Sequence, residues 1–71
     1  MKKEDFNTFS SRITREFYLF PLGMKALTIS INCNISLEET TETLIRMSHN
    51  RQAVCNQNGI WQLPKRRFLT P

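Results

Sequence analysis

Arg46, Arg51, Lys65, Arg66 and Arg67 are the residues whose type and spacing best suit chemistry, and that chemistry is the neutralisation of phosphate. They are all the Lys, Arg, Asp or Glu residues from Thr43 to Pro71, five bases with no acid among them. A cation set against a nucleic-acid phosphate releases a condensed counterion, so a one-signed segment attracts such a backbone. The same run also reads as a solvated basic tail that only aids solubility. Just upstream the sign reverses: residues 36–42 hold Glu38, Glu39 and Glu42 and no base. The first 35 residues carry five bases and three acids, which leaves the chain at a formal net charge of +4.

Catalytic chemistry finds little support. The single histidine, His49, has no acid or nucleophile beside it and is expected on the surface. Cys33 and Cys55 lack a C-x-x-C spacing, and with His49 they do not make a metal-ligand pattern. They are expected as two buried reduced thiols, with a disulfide as the alternative. Gly23 and Gly59 are the only glycines, so there is no glycine-rich phosphate loop. The expectation is a protein that is not an enzyme and uses neither cofactor nor metal.

The elements that must position the cations can be read from spacing. Phe6, Phe9, Ile13, Phe17 and Phe20 recur every three or four residues, the core stripe of a helix over roughly 4–19 that Pro21 ends. Ser36 and Glu39 form an S-x-x-E capping box at the start of a second long helix. Behind it Thr40, Leu44 and Met47 share one side. Asn34 sits where the chain must turn, and asparagine tolerates the left-handed conformation.

Residues 26–35 read two ways. Leu27, Ile29, Ile31, Cys33 and Ile35 alternate with Thr28, Ser30, Asn32 and Asn34, the period of a half-buried strand. As a helix, Met24, Leu27 and Ile31 share a face. The turn and cap downstream favour the helix, and with them a helix-turn-helix; the strand leaves an α+β alternative.

After Ser48-His49-Asn50, residues 52–57 and 60–63 flank Asn58-Gly59, a signal for a type I′ hairpin turn. Val54, Trp61 and Leu63 supply apolar area, and Pro64 ends the second strand. The sequence thus divides into one domain over residues 1–64 and a basic C-terminal tail over 65–71. Its longest apolar patch, Phe17 to Met24, is broken by Pro21 and Gly23 and is too short for a membrane span. The charged start Lys2-Lys3-Glu4-Asp5 is not followed by the apolar run of a signal peptide, so a cytoplasmic protein is expected.

Helix, helix, turn, helix and hairpin is the order of a mostly α winged helix-turn-helix. Over residues 28–63 the chain resembles the small bacterial winged-helix transcription regulators, among them the fimbrial regulators of the PapI and FaeA kind and the CaiF/GrlA group. The residues that carry the resemblance are Ile29-Ser30-Ile31, Ile35-Ser36, Thr43-Leu44 and Asn58-Gly59-Ile60-Trp61-Gln62-Leu63. It implies a bacterial or phage DNA-binding regulator whose capped helix enters the major groove and whose hairpin touches the backbone. The groove-facing positions would be Leu37, Glu38, Thr41, Glu42, Ile45 and Arg46.

Glu38 and Glu42 sit poorly against phosphate, so the hairpin and tail are expected to carry much of the binding. Thr41, Arg46, Arg51, Lys65, Arg66 and Arg67 are the expected DNA contacts. Arg46 would read guanine or else pair with Glu42 along the helix. Partners would be double-stranded DNA, a second copy of the chain in a homodimer, or another regulatory protein. The alternative function is a protein-interaction module, an anti-activator or adaptor, docking through Glu38, Glu39 and Glu42.

Overall fold

The stripe of large apolar side chains near the N-terminus needs one helix to align it, and the computed structural model, which describes residues 2–64, has helix α1 at Lys3–Leu19. Its buried residues are Phe6, Ser10, Ile13 and Phe17. Fully burying a side chain such as Ile13 or Phe17 stabilises a fold by about 1.5–3 kcal/mol. Phe9 is only half-buried, and Phe20 stands 48% exposed past the end of α1. The expected stripe therefore holds at Phe6, Ile13 and Phe17 and fails at Phe20. The reason is local: Pro21 ends the helix, and Phe20 leaves helical geometry at φ −130°.

Phe20-Pro21-Leu22-Gly23 then makes a tight turn, with Gly23 N–H donating to Phe20 O at 2.9 Å. Gly23 has φ +94°, and a Cβ there would come within 2.6 Å of Ile60 Cγ2 and 2.7 Å of Trp61 O. Only glycine lets the backbone pass so close. The turn delivers strand β1 (Met24–Lys25), two residues whose pairing has no sequence pattern to announce it.

Residues Ala26–Cys33 form helix α2, not a strand. Its buried residues are Ile29, Ser30 and Cys33, while Leu27 and Ile31 are exposed. This reverses the expected helix face, since Ile29 turns inward and Leu27 and Ile31 do not. The strand-like alternation is the trace of a helix with apolar side chains both inside and outside. Asn34 closes α2 in the left-handed region at φ 57°. Ile35 N–H donates to Ser30 O at 3.1 Å and Asn34 N–H to Ile31 O at 3.3 Å, the bonding of a Schellman motif.

Helix α3 (Leu37–His49) follows after three residues, Asn34, Ile35 and Ser36. Strands β2 (Val54–Cys55) and β3 (Ile60–Gln62) complete a three-stranded antiparallel sheet of order β1-β3-β2. These strands are shorter than the segments 52–57 and 60–63 expected for the hairpin. Trp61 stands between Met24 on one side and Cys55 on the other.

The hairpin turn also differs from expectation. Asn58 keeps a negative φ and Gly59 alone is left-handed, at +78°. Asn56 N–H donates to Ile60 O at 2.9 Å and Gly59 N–H to Asn56 O at 3.0 Å. The loop is thus a three-residue Gln57-Asn58-Gly59 connection with a left-handed glycine, not a two-residue type I′ turn. Asn56 Oδ1 decides this by accepting from both Asn58 N–H (2.8 Å) and Ile60 N–H (3.0 Å).

The core gathers Phe6, Ile13 and Phe17 of α1, Met24 of β1, Ile29 and Cys33 of α2, Leu44 and Met47 of α3, and Ala53. Trp61 and Leu63 pack against its margin. Among the described residues no helix is long and apolar enough to cross a membrane.

Candidate functional site

The orientation of α3 is fixed from both ends of its first turn. Ser36 Oγ accepts from Glu39 N–H at 3.0 Å, and Glu39 Oε1 accepts from Ser36 N–H at 3.4 Å, the expected capping box. Thr40, Leu44 and Met47 point inward and are fully buried, as their spacing requires, and Thr43 joins them. Thr43 Oγ1 donates to Glu39 O at 2.7 Å. With that side pinned, the 3.6-residue period places Glu38, Glu42, Ile45 and His49 along the middle of the solvent side. Thr41 and Arg46 lie on opposite flanks of that line, and both are exposed. His49 is a surface residue.

Arg46 has a neighbour that sequence spacing could not reveal. Its guanidinium carbon lies over the Phe6 ring, 4.5 Å from the centroid. A stacked guanidinium is held by one face while its N–H donors remain in the plane, directed outward from the ring. Arg46 is therefore seated against the start of α1.

Arg51 is positioned differently. It follows the end of α3 with φ 61°, in the left-handed region. Gln52 N–H donates to Met47 O at 2.7 Å and Arg51 N–H to Ser48 O at 3.1 Å, a second Schellman motif. Arg51 lines a groove of about 530 Å³ with Thr14, Tyr18, Gln52, Leu63 and Pro64. That groove lies at the open end of the hairpin, away from the turn at residues 56–60, and against the second half of α1. Arg51 thus sits at the hairpin's base, just ahead of β2. Lys65, Arg66 and Arg67 lie outside the described residues, as does the tail over 65–71; Pro64, on the groove wall, directly precedes Lys65 in sequence.

The two thiols are free, Cys33 buried and Cys55 exposed, so the expectation of two buried thiols holds only for Cys33. Cys55 is on an edge strand two residues long, which cannot cover it. Burial pushes the Cys33 thiol pKa above its ordinary value; Glu16 raises it further, and Arg12 opposes them. Arg12 Nη1 donates to Cys33 O at 3.4 Å, and Asn32 Nδ2 to Glu16 Oε1 at 3.1 Å, so this corner ties α1 to α2. Among the described residues no group of three or more His, Cys, Asp or Glu is placed to hold a metal ion.

No family model, curated protein or solved structure matches the chain.

Proposed function

We propose that this chain is a winged-helix module that binds double-stranded DNA as a small transcription regulator, in the manner of the fimbrial regulators it resembles. The observation that carries this reading is the presentation of α3. A capping box and four buried side chains hold one side of that helix, and the other side is left to solvent. The reading is supported by the element order, a helix, a strand, two helices joined by a left-handed turn, and a hairpin that pairs with the first strand. Thr41 and Arg46 reach the major groove from the flanks of α3, where Arg46 reads a guanine edge. Arg51, Lys65, Arg66 and Arg67 hold phosphates. A cytoplasmic location and a homodimer on a two-fold site go with this reading.

The test is a titration of the full chain with mixed-sequence duplex at two salt concentrations, beside a Lys65/Arg66/Arg67→Ala variant. Affinity that falls steeply with salt, and falls further in the variant, is the expected result. No binding at low salt overturns the reading.

One observation favours a second reading. The middle line of the solvent side of α3 carries Glu38 and Glu42 together with Ile45, a surface that repels phosphate and suits a basic protein. An adaptor or anti-activator would use that line, and Glu38→Lys would then abolish partner binding without touching DNA.

A further inference from the structure

We infer that the groove at the base of the hairpin is a seat for the DNA phosphate backbone, with Arg51 as its anchoring cation; this rests on the DNA-binding reading above. Three observations converge on it. The first is chemical. Of the six residues that line the groove, Thr14, Tyr18, Arg51 and Gln52 carry side-chain N–H or O–H donors, and none carries a carboxylate. Such a wall suits an oxygen-rich anion, since its one formal charge is positive and its neutral polar groups can donate. The smaller hollow between α1 and α2, about 320 Å³, includes Glu16 on its wall and lacks this one-signed character.

The second observation is conformational. Both α2 and α3 end in Schellman motifs with a left-handed residue. At the end of α2 that residue is Asn34, a type that adopts the conformation at small cost. At the end of α3 the same place holds Arg51, whose long side chain gains nothing from a left-handed backbone. Glycine or asparagine would serve the turn better. A residue held in a costly conformation where cheaper ones exist points to a use for its side chain.

The third observation is continuity. Leu63 and Pro64 form part of the groove wall, and Lys65-Arg66-Arg67 come next in the sequence. The groove wall is therefore continuous in sequence with the three cations of the tail. Leu63 and Pro64 supply an apolar flank for the sugar edge of the backbone, while Arg51 supplies the charge.

Arg51→Gly separates the structural from the binding role, because it relieves the backbone while removing the guanidinium. Thermal unfolding and duplex titration from 50 to 200 mM salt are measured on the wild-type chain, Arg51→Gly and Arg51→Asn. The expected result is an unchanged or higher Tm for both variants, with weaker duplex binding. Loss of one phosphate contact also makes the log–log salt slope shallower by about 0.9. A wild-type chain that binds duplex, beside variants with the same affinity and slope, overturns the groove assignment and leaves the DNA reading standing. A wild-type chain that does not bind overturns both, and it does so before any variant is compared. Arg51→Asn keeps a residue that tolerates the left-handed turn, so failure of Arg51→Gly to fold would not remove the test.

Discussion

Arg46 and Phe6 meet as cation and aromatic face, 4.5 Å from guanidinium carbon to ring centroid, and their contact joins the end of α3 to the start of α1. Phe6 is buried and Arg46 is exposed, so the arginine lies over a ring that already belongs to the core. An exposed cation–π contact of this kind contributes about 0.5–1 kcal/mol. Arg46→Ala is expected to lower stability by that amount in urea unfolding. In a Phe6→Leu background the same change should cost almost nothing; equal losses in both backgrounds would mean the pair is not coupled.

Gly23→Ala should be the most damaging of the small substitutions. The added Cβ meets Trp61 O, a backbone atom that cannot turn aside, at a φ that alanine rarely adopts. A loss of about 2 kcal/mol or more is expected in urea unfolding, with pairing of β1 to β3 the first contact to go. At Gly59, also left-handed, a Cβ would meet nothing within 4 Å. Gly59→Ala should therefore cost only about 1–2 kcal/mol, the left-handed penalty alone. Equal effects at the two positions would count against this steric account.

Thr40 is fully buried, and its Oγ1 has no hydrogen-bond partner among the described residues. Thr40→Val replaces that hydroxyl with a methyl of similar shape. Stability should rise by about 1 kcal/mol, because an unsatisfied buried hydroxyl is no longer withheld from water. A fall in the urea midpoint would show that Thr40 has a partner in solution.

Cys33 should make stability fall at alkaline pH. Burial first, and Glu16 second, raise its folded pKa against the opposing effect of Arg12, so the folded chain keeps the proton longer than the unfolded chain does. The contribution is complete below the ordinary thiol pKa and is lost as pH rises through the folded value. The difference in unfolding free energy between wild type and Cys33→Ala should shrink from pH 7 to pH 10. A difference that stays constant would contradict the shift. Thiol labelling at neutral pH should modify exposed Cys55 well before Cys33.

Much of this architecture was legible because long periodic segments and caps are local signals. The α1 stripe and the Ser36–Glu39 box needed no tertiary information. Helix α2 was ambiguous because Leu27 and Ile31 face solvent while Ile29 and Cys33 face the core, and apolar residues on two sides imitate a strand. Strand β1 is not legible in the sequence because two residues, Met24 and Lys25, contain no period at all. The hairpin turn lies at Asn58-Gly59 as expected but is one residue longer and of another type, because the Asn56 side chain captures two backbone donors. At the candidate site, the exposure of Thr41 and Arg46 followed from the period of α3. The groove that Arg51 shares with Thr14 and Tyr18 did not, since it depends on how α1 lies relative to the hairpin's base.

Trp61, the chain's single tryptophan, is paired with Cys55 across a short hairpin and with Met24 across more than half the described chain. Closing the short loop costs less entropy than closing the long one. The hairpin is thus expected to form early and β1 to dock late, after α2 and α3 have brought Met24 and Trp61 together. The indole would then change surroundings twice during refolding, so one intrinsic fluorophore would report both the fast local step and the slow closure.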